Sequence, residues 1–280
     1  MSPTRSRERR TPVRGRRALR SATTLALLAM AATACDAEQW KRIGYPDPAS
    51  EQGDRMLSLW QGAWIAAIII GVIVWGLIIW AVLFHRKRKG EEGLPAQVRY
   101  NLPVEILYTA VPFVIIGVLF FYTARDEAQV EKITKKPDVT VDVIGYQWSW
   151  QFDYLGDTYK KADGSPISIV GTPTSPDAPG GTAQGQKPVL VIPVDKTIRF
   201  NLKSDNVIHS FWVPAFIYKK DVVPGYVNKF ELRPTKVGTY EGRCAEFCGL
   251  DHSRMLFQVK VVTQAEFDDF VAQQKSGGAQ

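Results

Sequence analysis

From Met56 to Phe84 the chain runs for 29 residues without a charged side chain, and nothing else in it limits the fold so strongly. About 20 residues of helix cross the apolar part of a bilayer. The run contains Ile68, Ile69 and Ile70 and carries Trp60, Trp64, Trp75 and Trp80, with aromatic residues toward its ends as membrane interfaces favour. A second uncharged stretch of 19 residues, Ile106 to Ala124, includes Pro112, which a membrane helix tolerates inside a bundle. Between them lies His85-Arg86-Lys87-Arg88-Lys89, a short basic loop that the positive-inside rule places in the cytoplasm. The expectation is an N-terminal two-helix transmembrane hairpin, with helices at 56–84 and 104–124, a cytoplasmic loop at 85–103, and the rest extracytoplasmic.

Charge supports this topology and excludes another class. The formal charge is +7. Residues 1–20 hold eight arginines against one glutamate, and residues 85–99 hold five basic against two acidic side chains. From Thr123 onward 19 basic residues face 19 acidic ones, so the large C-terminal region offers no basic face for nucleic acid. With 45% hydrophobic residues, 22 Gly, 17 Pro and 3 Cys, the chain is not a disordered, collagen-like or disulfide-stapled protein.

The arginine-rich start is followed by an uncharged run from Ser21 to Ala34 that ends in small residues. This is the layout of a secretory signal, 1–34, too short for a good spanning helix. Ala32-Thr33-Ala34-Cys35 resembles a bacterial lipobox with Ala where Leu is usual, which would make Cys35 the lipid-modified first residue of an extracytoplasmic segment, 35–55, held in membrane lipid. The other reading of Cys35 is an ordinary cysteine near a conventional cleavage site. Glu105 follows Pro103 at the cytoplasmic start of the second helix, where an acid either caps the positive helix end or serves a proton path.

From Val139 the pattern changes to alternation: Val139, Val141 and Val143 against Thr140 and Asp142, then Phe257, Val259 and Val261 against Gln258 and Lys260. Period two predicts half-buried strands. Further candidates are Val189–Val194, Thr197–Leu202 and Val227–Leu232, and several short strands over 125–265 predict an antiparallel sandwich or Greek-key barrel. Gly156 to Pro188 reads as a long surface loop without chemistry of its own, and 266–280 as a tail.

The segment Cys244-Ala245-Glu246-Phe247-Cys248-Gly249-Leu250-Asp251-His252-Ser253-Arg254-Met255 gathers two thiols, an imidazole and a thioether, and His209 stands upstream in Val207-Ile208-His209-Ser210-Phe211-Trp212. Thiolate with thioether selects copper over harder metals. A Cys244–Cys248 disulfide would leave both histidines and Met255 unexplained, and zinc has little use for Met255. A mononuclear blue-copper site needs only one cysteine; a second at this spacing argues for two bridging thiolates and a pair of copper ions.

Together C-A-E-F-C-G-x-x-H-x-x-M and the upstream V-I-H-S-F-W-V-P resemble the dinuclear copper (CuA) site of cytochrome c oxidase subunit II. Glu105 to Pro112, Gly145-Tyr146-Gln147-Trp148-Ser149-Trp150 and Lys220 to Gly225 resemble further stretches of that family. The resemblance implies a cupredoxin-like all-β sandwich. It implies Cys244 and Cys248 as bridging thiolates, His209 and His252 as terminal ligands, Met255 as a weak ligand of one copper and the Glu246 carbonyl of the other, the Glu246 side chain also reaching a magnesium ion shared with subunit I. It makes Trp148 the residue where electrons arrive from cytochrome c, against the alternative of a strand tryptophan packed in the sheet beside Trp150. It makes Glu105 the mouth of a proton channel.

Ser149 stands where many relatives carry an aromatic residue, and the uncharged balance of the domain gives no acidic patch for a soluble basic cytochrome c. That balance, the lipobox-like start and the long loop suggest a Gram-positive or actinobacterial enzyme. Its donor would then be a membrane-tethered cytochrome c, or one belonging to a bc1-type complex. The implied function is subunit II of a proton-pumping terminal oxidase of the bacterial plasma membrane, passing electrons to haem in subunit I beside other oxidase subunits. The quinol-oxidase form lacks copper ligands and fits poorly. The reading from a different class is a membrane-anchored copper-binding lipoprotein acting as carrier or assembly factor.

Overall fold

The computed structural model describes residues 37–87, 90, 93–94, 97–173 and 186–277. The signal segment and Cys35 lie outside the described residues. Preceding Tyr45 is a short helix, α1 (Ala37–Arg42), with Glu38 in its first turn and Lys41 and Arg42 in its last, the arrangement that suits its dipole.

Helix α2 (Glu51–Phe84) is 34 residues long and therefore about 51 Å in length. It begins five residues before the uncharged run because Ser50 caps it, its hydroxyl accepting from Gly53 N at 3.0 Å, with Glu51 and Asp54 in the positive first turn. Helix α3 (Leu102–Val130) likewise overruns the expected 104–124. Asn101 caps its start, and Glu105 Oε1 accepts from Asn101 N at 3.0 Å. Charged residues bounded the apolar runs in the sequence, but a charge outside the hydrocarbon does not stop a helix. Both helices are long and apolar enough to span a membrane, and no residue of their most apolar windows is buried within the chain.

Both helices are tied at one end to a β domain. Ala49 N donates to Ala215 O at 2.8 Å, Glu51 N to Arg233 O at 3.0 Å and Thr235 N to Ala49 O at 3.0 Å. Gly53 is needed at this joint: a Cβ there would lie 2.9 Å from the Phe216 carbonyl oxygen. Beyond α3, Thr134 donates through N and Oγ1 to the buried Glu231 carboxylate at 3.0 and 3.1 Å, and Arg199 pairs with the same group at 2.7 Å. Lys220 and Tyr218 both bond Glu131.

Among the described residues the β domain has ten strands: β1 (Val139–Tyr146), β2 (Ser149–Leu155), β3 (Ser168–Val170), β4 (Val189–Pro193), β5 (Ile198–Ser204), β6 (His209–Val213), β7 (Tyr218–Val222), β8 (Asn228–Leu232), β9 (Gly238–Cys244) and β10 (Leu256–Val262). They form two five-stranded sheets, in the orders β3-β2-β1-β5-β8 and β4-β10-β9-β6-β7. The alternating valines of β1 and the Phe257, Val259 and Val261 of β10 all point into the core between the sheets. Phe152, Phe200, Phe211, Phe230 and Phe257 fill its middle, Phe211 and Phe257 stacked at 4.7 Å.

The structure corrects three expectations. The sandwich is mixed, because β1 pairs with β5 and β10 with β4 in parallel; alternation reports burial and carries no strand direction. The stretch 156–188 includes β3, and the buried Ile167 belongs to the core. The tail contains α4 (Gln264–Lys275), opened by a Thr263/Glu266 capping box and held by Phe267 and Val271, with Phe267 6.3 Å from the Tyr154 ring. The spacing Phe267, Phe270, Val271 is the i, i+3, i+4 signature of such a helix.

Candidate metal centre

Strand pairing brings the two parts of the donor set together. β6 and β9 are antiparallel neighbours with Phe211 opposite Cys244. Side chains two apart share a face, so His209, at the start of β6, projects on the side of Cys244, at the end of β9. The chain then makes a loop carrying Cys248, His252 and Met255 before entering β10. Two backbone bonds close this loop on itself and on β6: Cys244 N to Met255 O and Ala245 N to Ser210 O, both 3.0 Å.

Cys244 Sγ lies 3.8 Å from Cys248 Sγ, 3.9 Å from His209 Nδ1 and 3.2 Å from the Glu246 carbonyl oxygen. Cys248 Sγ lies 3.5 Å from His252 Nδ1 and 3.8 Å from Met255 Sδ. The four other expected donors therefore surround one sulfur pair, and the ligand atoms of His209, Cys244 and Cys248 fall within 4.8 Å of one another, a cluster that can hold a metal ion. His209, both cysteines and Met255 are buried, whereas His252 is half-exposed and the Glu246 side chain is exposed. A Cβ at Gly145 would stand 3.0 Å from the His209 ring, so any larger residue would crowd that imidazole and push it by a few tenths of an ångström.

Burial favours neutral donors here. It pushes the Cys248 thiol up to about 12, with the neighbouring Cys244 adding to the effect, and pulls His209 down to about 4, helped by the charge of His252. An imidazole kept neutral retains a lone pair for a metal. A metal taking the thiols must displace their protons, so binding weakens as pH falls.

Trp148 and Trp150 part company. Trp150 is buried in β2, but Trp148 lies in the two-residue turn between β1 and β2, half-exposed. Its indole Nε1 donates to the Cys248 carbonyl at 3.0 Å. The alternative of a strand tryptophan packed in the sheet beside Trp150 fails, because Trp148 precedes the start of β2 at Ser149. Glu105 sits at the other end of α3 from the β domain. Sequence reasoning assigned nothing to Gln147 or Asn206, yet Gln147 Nε2 donates to Cys248 O at 2.8 Å and Asn206 Oδ1 lies 3.1 Å from His209 Nε2. An amide side chain three positions before a candidate histidine ligand was the available signal.

Residues 139–262 match the family described as cytochrome c oxidase subunit II, periplasmic domain, a span that opens with β1 and closes with β10. The chain is 46% identical over 291 residues to a probable cytochrome c oxidase subunit 2 of Streptomyces coelicolor, covering 96% of this chain and 90% of that protein. This chain belongs to the cytochrome c oxidase subunit II family. It is also 36% identical over 305 residues to the cytochrome c oxidase subunit 2 of Mycobacterium tuberculosis, covering 95% of this chain and 84% of that one. A solved structure of the periplasmic domain of subunit II of cytochrome oxidase (CoxB) of Bradyrhizobium japonicum is 31% identical, covers 52% of this chain and all of its own, and superposes with a TM-score of 0.43. As a member of the subunit II family the chain is part of an oxidase complex, a two-pass membrane protein with its β domain outside the cytoplasm.

Proposed function

We propose that this subunit II accepts electrons from cytochrome c at a dinuclear copper site and delivers them to haem in subunit I of a proton-pumping oxidase of the bacterial plasma membrane. The observation that carries the reading is the donor set: two thiols 3.8 Å apart with an imidazole on each side, a thioether by one sulfur and a main-chain carbonyl by the other. The sulfur separation is far above the roughly 2.05 Å of a disulfide bond, and both cysteines are free. Zinc would be satisfied by four ligands and would leave Met255 and the carbonyl without a role. The set fits copper, in which soft sulfur and imidazole are both good ligands.

Cys244, Cys248, His209 and His252 would hold the copper pair, with Met255 and the Glu246 carbonyl as its weak donors. Two copper ions sharing one unpaired electron would supply one-electron acceptance and release with little change in geometry. The chain supplies the frame: β6 and β9 fix His209 and Cys244, and the loop bonds hold the remaining donors. Trp148, half-exposed and bonded to the Cys248 carbonyl, is the surface contact for the donor cytochrome, a membrane-tethered one in keeping with the uncharged balance of the domain. The exposed Glu246 carboxylate would share a magnesium ion with subunit I. Glu105 is the proton-channel mouth in addition to capping α3, and Cys35 carries the lipid anchor that follows removal of the signal.

The test is copper content and the electron paramagnetic resonance spectrum of the full-length chain in detergent. A copper pair with a seven-line hyperfine pattern is expected. A four-line mononuclear spectrum would overturn the reading and favour a copper carrier. In the assembled oxidase, Trp148→Leu should keep the seven-line spectrum while slowing reduction by cytochrome c; unchanged reduction would remove Trp148 from the electron path.

A further inference from the structure

Two amide side chains outside the donor set join its halves, and their orientations are dictated by the backbone. Asn206 Oδ1 accepts from Val207 N at 2.7 Å and lies 3.1 Å from His209 Nε2. Turned the other way, the amide nitrogen would face a backbone N–H, so the oxygen occupies this position. His209 must then carry its hydrogen on Nε2, which leaves the Nδ1 lone pair facing Cys244 Sγ. At the other end the Cys248 carbonyl requires a donor, and Gln147 supplies Nε2 at 2.8 Å. That turns Gln147 Oε1 toward Asn206 Nδ2, which donates to it at 3.4 Å. The chain of bonds runs His209, Asn206, Gln147, Cys248 carbonyl, and Trp148 Nε1 meets it at the same carbonyl.

We propose that Asn206 and Gln147 are positioning residues, forming a directional amide relay that fixes the His209 tautomer and ties that imidazole to the Cys248 half of the site and to the Trp148 turn. The inference rests on the copper reading above. Only an amide satisfies both of Asn206's tasks, since it must accept from His209 and donate to Gln147. A carboxylate in its place performs the first task, but sets oxygen against oxygen at Gln147 and so releases the second. Both residues are exposed, so their substitution leaves the core intact.

The test compares full-length copper-loaded wild type with Asn206→Leu, Asn206→Asp, Gln147→Leu and the Asn206→Leu/Gln147→Leu double variant. Copper affinity is read by competition with a chelator, and the His209 Nε2 proton by its exchange with deuterated water in paramagnetic resonance spectra. Partners that orient a metal-bound histidine are typically worth 10–100-fold in affinity, and Asn206→Leu should lose about that much, with a fast-exchanging Nε2 proton. Asn206→Asp should recover most of the affinity and the slow exchange. Gln147→Leu should weaken binding in the wild-type background and add nothing to Asn206→Leu, the non-additivity of a connected network. Wild-type affinity and exchange in Asn206→Leu, or strictly additive losses in the double variant, would overturn the relay while leaving the copper site standing. A wild-type chain that holds no copper pair would remove the copper reading, and the relay with it.

Discussion

Cys248→Ser is expected to abolish the seven-line spectrum and to leave at most a mononuclear copper signal. The Cys248 sulfur stands at the centre of the donor set, 3.8 Å from Cys244 Sγ, 3.5 Å from His252 Nδ1 and 3.8 Å from Met255 Sδ. A serine hydroxyl is a hard oxygen that stays protonated near neutral pH and bridges copper poorly. Its introduction removes a ligand from both halves at once, so the affinity loss should exceed the 10–100-fold typical of an outer partner. Cys244→Ser should behave similarly, since that sulfur contacts His209 and the Glu246 carbonyl. His252→Ala should be milder in its effect on folding, because the ring is half-exposed. Copper counting with paramagnetic resonance checks all three, and a seven-line spectrum surviving in Cys248→Ser would exclude bridging thiolates. Loading of the wild-type chain should improve as pH rises, because a thiol held near 12 by burial and by Cys244 must give its proton up to the metal.

Trp150→Ala should cost about 3–5 kcal/mol, the usual loss for a large aromatic removed from a core. For a domain of this size that corresponds to a fall in Tm of roughly 6–20 °C. The indole is completely buried and packs edge-on against Phe211 at 5.9 Å and Phe257 at 5.3 Å, 6.0 Å from the His209 ring. Its Nε1 donates to Met255 O at 3.4 Å, so the cavity would open directly beneath two candidate ligands. Thermal unfolding followed by circular dichroism, with and without copper, measures both effects. The neighbouring Trp148→Ala should lower Tm far less, since that ring is partly in solvent and outside the sheet. Equal losses at the two positions would contradict the division of labour between them.

How much of this was legible in the chain varies with the range of the interaction involved. Bilayer thickness and the cost of burying charge act on consecutive residues, so Met56–Phe84 and Ile106–Ala124 announced two spanning helices without any tertiary information. The helix ends were less legible: Ser50 and Asn101 caps carry α2 and α3 beyond the uncharged runs. Alternation marked β1 and β10, and short apolar runs between turn residues marked β4, β5 and β8, of which β4 is buried on both faces. The candidates did not include β2, although its Trp150, Phe152 and Tyr154 alternate, nor β3, β6, β7 and β9, which are short or broken by Gly and Lys. The spacing of Phe267, Phe270 and Val271 is that of α4, within the stretch expected to be a tail.

The sequence by itself determined the chemistry of the site. Thiol, imidazole and thioether are properties of side chains, and Cys244 to Met255 carries most of them within one loop. Tertiary structure decided what those groups face. Antiparallel pairing of β6 with β9 brings His209 to Cys244 across 35 positions of chain, and parallel pairing of β1 with β5 lies beyond anything that alternation can specify. The turn after β1 puts Trp148 outward while Trp150 goes in. Asn206 and Gln147 acquire partners only when separate loops meet, because a hydrogen bond depends on distance and direction in space and leaves no periodic trace along the chain.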